Sequence, residues 1–215
     1  MSATDDQAAR ARRRSVAYYA ATANRPPDPR LVRAADLVGA PGRALDLGAG
    51  AGAAARYLLG RGFHVTAVDG DPAARGPLTE LPDQHRLEIV IARFEDFEPA
   101  RYDLVHSSLS LMFLSRRSFG RVWPRLLSAL NPGGALAVNL FGDRDEWNDR
   151  TGPADDDDDG WPLDGGGTFL SGVELEALLG GLEIVSIADE ERDLRMVTGG
   201  VRRKHLLGAI ARRPA

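Results

Sequence analysis

Leu45-Asp46-Leu47-Gly48-Ala49-Gly50-Ala51-Gly52 is the stretch that decides the fold. An apolar run carrying one acid passes directly into a turn with glycine at every second position. The turn then opens into an alanine-rich helical pattern. Glycines at 48, 50 and 52 permit backbone angles closed to other residues and bring the main chain close to a ligand. The free N–H groups at the start of the helix point at the same place. The unit is a strand, a ligand-facing loop and a helix.

Outward from this anchor, short apolar runs alternate with helical patterns, which predicts a parallel sheet covered by helices. Strands are expected at Arg43 to Leu47, Phe63 to Asp69, Leu87 to Ala92, Tyr102 to Ser107, Gly134 to Phe141, Leu182 to Ala188 and Val201 to Arg212. Helices are expected at Asp28 to Val38, Ala51 to Gly60, Pro72 to Leu81, Ser115 to Leu130 and Ser171 to Leu179. Ser171 with Glu174 forms a capping box, and Asn131-Pro132-Gly133-Gly134 is a helix stop. The expected architecture is α/β: a single Rossmann-like domain over 16–212 with a mostly parallel seven-stranded sheet, helices on both faces and an antiparallel last strand. Residues 1–15, with Arg10, Arg12, Arg13 and Arg14 and no apolar run after them, read as a flexible tail. The Gly- and Asp-rich stretch 143–167 is longer than an ordinary connection and reads as a lid-like loop. Its run Asp155 to Asp159 reads as solvated charge, because adjacent like charges repel rather than converge on a metal.

Composition narrows the function. With 215 residues the chain fits one α/β domain and no separate substrate domain. The hydrophobic share of 43% and charged share of 27% are those of a soluble globular protein. A net charge of -4 disfavours a nucleic-acid partner. The absence of cysteine excludes disulfides, thiolate nucleophiles and Cys-ligated metals. No stretch approaches the roughly 18 apolar residues of a membrane span, and a cytoplasmic location is expected. Lys204, the single lysine, reads as compositional bias rather than chemistry.

The acids choose the ligand. Gly48, Gly50 and Ala53 fit the G-x-G-x-x-A pattern of dinucleotide enzymes, so the glycines alone leave a nicotinamide-dependent oxidoreductase open. Asp46 shifts the balance: a carboxylate two residues before the first glycine repels a pyrophosphate but balances an ammonium group. The methionyl part of S-adenosylmethionine carries such an amine. Asp69, at the end of the second strand and followed by Gly70, has the spacing of a carboxylate that bridges two ribose hydroxyls. Its competing role, capping the helix near Pro72, suits Asp71 better.

From these residues the chain resembles a class I S-adenosylmethionine-dependent methyltransferase, with Leu45 to Gly52 as first motif and Asp69 as second. Tyr102-Asp103-Leu104-Val105 and Leu130-Asn131-Pro132-Gly133-Gly134 extend the resemblance. Leu111-Met112-Phe113-Leu114 resembles tellurite-resistance-type methyltransferases. Leu140 to Trp147, with Thr168-Phe169-Leu170, resembles a small bacterial branch close to them, which implies a small-molecule methyl acceptor. The resemblance implies that Asp46, Gly48, Ala49, Gly50, Gly52, Asp69 and Gly70 bind the cofactor. Members often place an acid after the third strand for the adenine amine. Arg93 stands at that position here, leaving Phe94 and Glu95 as the adenine candidates. Tyr18 to Pro27 resembles a segment that closes over the cofactor, which implies Tyr19 and Arg25 as cofactor-binding residues, Arg25 pairing with the methionine carboxylate; the alternative for Tyr18 and Tyr19 is packing an N-terminal helix onto the sheet.

Methyl transfer from a sulfonium is an in-line displacement in which the cofactor supplies activation and the protein supplies alignment. A base is needed only for a neutral hydroxyl or amine acceptor. His106, at the end of the fourth strand, and His205, on the last strand, are the candidates. His106 has a second possible role, lending its carbonyl to the cofactor amine, and His205 matches a histidine of the resembling branch where Gly208 replaces another. Arg144 and Trp147 are the lid candidates over the acceptor, the alternative being a surface Arg-Asp pair beside a packed indole. An S-adenosylmethionine-binding protein without methyl transfer, a regulator or repurposed cyclase, is the other reading that keeps the cofactor.

Overall fold

The computed structural model describes residues 3–148, 167–195 and 200–215. Strands β1 (Arg43–Leu47), β2 (His64–Asp69), β3 (Leu87–Ile91), β4 (Tyr102–Ser108) and β5 (Leu130–Gly142) are parallel. With β7 (Glu183–Arg195) and β8 (Val201–Arg212) they form the order β3-β2-β1-β4-β5-β8-β7. β8 pairs antiparallel with both β5 and β7, as expected of the last strand. Strand order reverses between β1 and β4, and the crevice beyond the carboxyl end of β1 is where such sheets take ligands. The expected seven strands gain an eighth: β6 (Phe169–Leu170), two residues parallel to Phe141 and Gly142 of β5.

Six helices are described. They are α1 (Ala3–Thr22), α2 (Pro29–Val38), α3 (Ala53–Gly60), α4 (Arg75–Thr79), α5 (Arg116–Ala129) and α6 (Gly172–Leu178). Local chemistry sets their starts. Asp28 accepts from Arg30 N ahead of Pro29, Ser115 accepts from Ser118 N, and Ser171 with Glu174 closes the expected capping box. α3 starts differently, from Gly52 at φ 80 with no side-chain cap.

Differences from the sequence expectation have physical causes. Residues 1–15 were expected as a tail, yet α1 begins at Ala3, in a stretch rich in the helix formers Ala, Arg and Gln. β5 starts at Leu130 instead of Gly134, because Leu130 already pairs with Tyr102. The Asn131-Pro132-Gly133 stop is absorbed as a register shift before Leu104↔Ala135. β7 runs on past Ala188 to Arg195, since pairing with β8 carries a polar strand that has no apolar pattern of its own. Pro72–Ala74 is a 3₁₀ turn ahead of the short α4. The Asp155 to Asp159 run lies outside the described residues.

The two sheet faces bury separate cores, as alternation along the strands requires. Leu45, Leu47, Val105 and Leu136 meet Trp123 and Leu126 of α5 and Leu175 of α6. Ala44, Leu104 and Ala137 meet Leu31, Ala34 and Ala35 of α2, Leu58 of α3, and Tyr19 of α1. Each fully buried leucine contributes about 1.5–3 kcal/mol. Asp46 shares the Ala44 face and His106 the Leu104 face, so both project into the second, small-residue core.

Candidate functional site

At the carboxyl end of β1 the chain makes the expected turn. Gly48, Gly50 and Gly52 have φ of 84, 52 and 80, all in the region that favours glycine. Gly48 N and Ala49 N both donate to Val68 O, which ties the turn to β2. A side chain at Gly48 would overlap Ser110, whose hydroxyl donates to Leu47 O at 2.9 Å and contacts Ser107 Oγ at 2.7 Å. The Phe94 ring faces the same turn, 3.6 Å from where a Gly48 Cβ would stand.

Asp69 closes the turn from β2. Its Oδ2 accepts from Gly50 N at 2.7 Å and its Oδ1 from Asp71 N at 2.9 Å. Burial raises the Asp69 carboxyl above the usual aspartate range despite these two N–H donors. Asp71 takes the capping role the sequence assigned it, accepting from Ala73 N at 2.8 Å. Gly70 is exposed beside this pair. Tyr19 of α1 lies over Gly50 and its hydroxyl donates to Asp71 Oδ2 at 3.4 Å. Burial, then the charges of Asp69 and Asp71, hold that phenol above its ordinary value and keep it protonated. Arg25 is exposed and its backbone N–H donates to Thr22 O.

Asp46 does not stand alone. In register with it across β1 and β4 is His106, whose Nδ1 lies 2.9 Å from Asp46 Oδ1. The side chains are 2% and 5% exposed. Asp46 Oδ2 and His106 Nε2 are both buried without a hydrogen-bond partner. A 60-residue separation hid this pair from sequence reasoning.

The adenine candidates diverge. Phe94 faces the turn, whereas Glu95 is held by Ser118 of α5 and by Arg93 at 3.3 Å. Burial pushes the Glu95 carboxyl up, but its hydrogen bonds outweigh that and keep it below the usual value. Arg93 itself is 75% exposed.

The other candidates gather at the end of β5 and β8. His205 is buried with both ring nitrogens engaged: Nε2 is 2.8 Å from Asp189 Oδ1, and Nδ1 accepts from Arg144 N at 2.9 Å. Gly142 is required there, because any side chain would overlap the ring. Arg144 turns outward to Asp189 and Glu191, each at 2.7 Å. Trp147 is buried against Phe141, their centroids 5.3 Å apart. The pair thus takes the form of a surface Arg-Asp contact beside a packed indole. Sequence reasoning passed over the centre of this cluster. Lys204 Nζ is buried 3.2 Å from the Trp147 ring centroid and 4.8 Å from that of Phe141, with Asp145 Oδ1 at 3.3 Å. Burial lowers the Lys204 ammonium and Asp145 opposes that shift. The usable signal was a lone lysine set directly before an apolar run.

Leu111 to Leu114, Leu140 to Trp147 and Thr168 to Leu170 meet here. Thr168 N donates to Met112 O at 2.9 Å, its hydroxyl to Leu114 O at 2.8 Å, and Met112 packs with Phe141 and Trp147. A cleft of about 400 Å³ lined by Arg43, His64, His85 and Arg86 lies at the amino-terminal ends of β1, β2 and β3, the opposite edge from the glycine turn. No group of His, Cys, Asp and Glu able to hold a metal occurs among the described residues. No described helix is long and apolar enough to cross a membrane.

This strand order is the Rossmann-like fold of solved S-adenosylmethionine-dependent methyltransferases. Within that class the family described as Tellurite resistance protein TehB matches residues 14–145, and the chain belongs to it. Among solved structures, TehB from Haemophilus influenzae superposes with a TM-score of 0.67 at 20% identity, over 85% of this chain and 61% of that one. A Burkholderia thailandensis 1,6-didemethyltoxoflavin-N1-methyltransferase, solved with that compound and S-adenosylhomocysteine, superposes with a TM-score of 0.59 at 21% identity over 100% of this chain and 92% of that one. The carboxy-S-adenosyl-L-methionine synthase of Psychrobacter sp. (strain PRwf-1) is 29% identical over 163 residues, 68% of this chain. The chain spans 56% of that relative's length.

Proposed function

We propose that the protein binds S-adenosylmethionine at the glycine turn and transfers its methyl group to a small molecule. The single observation that carries the reading is Asp46: a buried carboxylate with one oxygen unpartnered, two residues before the turn. A buried anion left half-satisfied is costly, and an ammonium group relieves it. The residues present therefore fit the cofactor. Asp69 stands at the turn for the ribose hydroxyls, Phe94 offers a ring for the adenine, and α3 begins with no side-chain cap. Tyr19 covers Gly50, and Arg25 is exposed on the segment after α1.

The bound cofactor supplies an electrophilic methyl and a neutral leaving group. The chain's own work is to bind, orient and keep water out. No obligate base enters this reading. His205 is spent on Asp189 and Arg144, and we assign it, with Arg144 and Trp147, to holding the acceptor-side wall rather than to contact with the reacting atoms. The acceptor's small size is supported by the family and by the small compound bound in the Burkholderia relative.

Calorimetry with S-adenosylhomocysteine, followed by methyl transfer from labelled S-adenosylmethionine across a panel of small acceptors, tests the proposal. Micromolar binding and a labelled product are expected, and absence of binding overturns it. A second reading, use of the cofactor without methyl transfer, is favoured by the curated relative, whose name describes synthesis of a modified S-adenosylmethionine. Binding with consumption of the cofactor but no methylated product would select it. A parallel titration with a nicotinamide dinucleotide, expected to show no binding because of Asp46, separates the oxidoreductase reading.

A further inference from the structure

We propose that the cleft at the amino-terminal ends of β1, β2 and β3 binds a small phosphate monoester. The proposal is independent of the cofactor reading, since the length of β1 separates this cleft from the glycine turn.

The cleft exists because one layer is interrupted. Residues 92–101, between β3 and β4, form turns and no helix, and the Leu45 side of β2 and β3 stays open toward their amino ends. Strand register fills the opening with polar groups. Arg43 lies opposite His64, and Arg86 immediately precedes Leu87, the partner of Val65, so Arg43, His64 and Arg86 stand level on three neighbouring segments. One row on, Thr66 lies opposite Glu88. His85 adds a second imidazole from the turn before β3. These six residues line a space of about 400 Å³, the size of a small-molecule site rather than a track for a polyanion.

The charges favour an anion. Like charges level with each other across a sheet repel. Asp83 takes only Arg86 Nη2, at 2.9 Å, and Arg86 Nε has no partner. Asp103 accepts from the Arg43 backbone N–H at 2.8 Å. The Arg43 guanidinium instead lies 5.4 Å from the Tyr102 ring centroid, with no carboxylate paired to it among the described residues. Two planar guanidinium forks and two imidazoles, each able to donate an N–H, match the oxygens of a phosphate. Glu88 sets the other end of the cleft. Its Oε2 accepts from the Thr66 hydroxyl at 3.0 Å, and Thr66 is 5% exposed, so the carboxylate is held against the floor. Glu88 repels a second anionic group and accepts from a hydroxyl, which selects a monoester of the sugar-phosphate kind over a polyphosphate or a dicarboxylate.

The chain has four histidines, two in the cleft and two, His106 and His205, on β4 and β8 away from it. In the test, ribose 5-phosphate is titrated into the protein at constant ionic strength while the four imidazole proton resonances are followed. His64→Gln and His85→Gln assign the cleft pair. Saturable movement of His64 and His85 alone is expected. Arg43→Gln and Arg86→Gln should each weaken this binding about tenfold, the scale of a lost hydrogen bond to a charged group, with unfolding midpoints showing that both variants fold. Inorganic phosphate should bind more weakly than ribose 5-phosphate, and Glu88→Gln should narrow that difference. Shifts that do not saturate, that ribose without its phosphate reproduces, or that spread equally to His106 and His205 overturn the proposal, as does malonate binding as tightly as ribose 5-phosphate.

Discussion

Two buried charged clusters lie near the carboxyl end of the same sheet, and they differ in how far they are satisfied. Between β5 and β8, Asp145 receives Lys204 Nζ, Trp147 N and His205 N, while His205 is closed off by Asp189 and Arg144. Between β1 and β4, Asp46 and His106 satisfy each other once and leave an oxygen and a nitrogen without partners. Buried polar groups are normally paired, so the bonded Asp145 and His205 are accounted for by the fold, while the open Asp46–His106 pair calls for something further; Trp147 Nε1, at the edge of the first cluster, is also buried without a partner. The contrast separates an anchor from a binding site more sharply than residue type does, since each cluster contains a buried aspartate and a buried histidine.

The largest effect should come from breaking the closed cluster. Asp145→Ala leaves Lys204 buried without its counter-ion, and a loss of about 3–5 kcal/mol in denaturant unfolding is expected. The double variant Asp145→Leu/Lys204→Met should recover most of it, because apolar replacement of a buried pair is close to neutral. Affinity of the double variant for S-adenosylhomocysteine should match the wild type. A large loss of binding with stability restored would show that the two clusters are not separate in function.

Next in size is the turn. Gly48→Ala forces a side chain into a φ of 84 and onto Ser110, which is bonded to Leu47 O and Ser107. Strain of about 1–3 kcal/mol is expected in stability, with S-adenosylhomocysteine affinity down by more than tenfold in calorimetry. Asp46→Asn follows. It keeps shape and an acceptor for His106 but removes the charge, so affinity should fall about 10- to 100-fold, the equivalent of roughly 1.5–3 kcal/mol. The unfolding midpoint should hardly move. Equal stability losses in Asp46→Asn and Asp145→Ala would erase the distinction drawn between the clusters.

What the sequence made legible follows the range of the interactions. The glycine turn, Asp46, Asp69 and the Asp71 cap are local patterns, and each sits where its neighbours in the chain imply. The parallel α/β architecture also follows from local alternation, because βαβ connections admit few topologies. What could not be read depends on register between distant segments. Asp46 meets His106, Asp145 meets Lys204, and Ser110 meets Leu47 only after β1, β4, β5 and β8 are laid side by side. Periodicity carries no information on those meetings. The β7 extension escaped for the same reason: Asp189 to Arg195 reads as loop until β8 supplies its partners. Lys204 was misjudged because rarity in composition was weighed without its setting beside an apolar strand.

The smallest effect tests the outer edge of the closed cluster. Arg144 reaches Asp189 and Glu191 from the surface, and the guanidinium holds both carboxyls low; for Asp189 the hydrogen bond from His205 is the larger cause. A carboxyl whose folded value lies below its unfolded one gives stability that is present above the unfolded value and lost as pH falls through the folded one. Arg144→Ala should therefore leave the neutral-pH unfolding midpoint almost unchanged, because solvent screens exposed pairs. It should also raise the pH at which acid unfolding begins. Asp189→Ala removes the partner of His205 as well and should cost more than Arg144→Ala at neutral pH. If Arg144→Ala proved the more damaging of the two, or abolished methyl transfer with binding intact, Arg144 would belong to the acceptor site, and the boundary between the anchor and the open site would have to be redrawn through it.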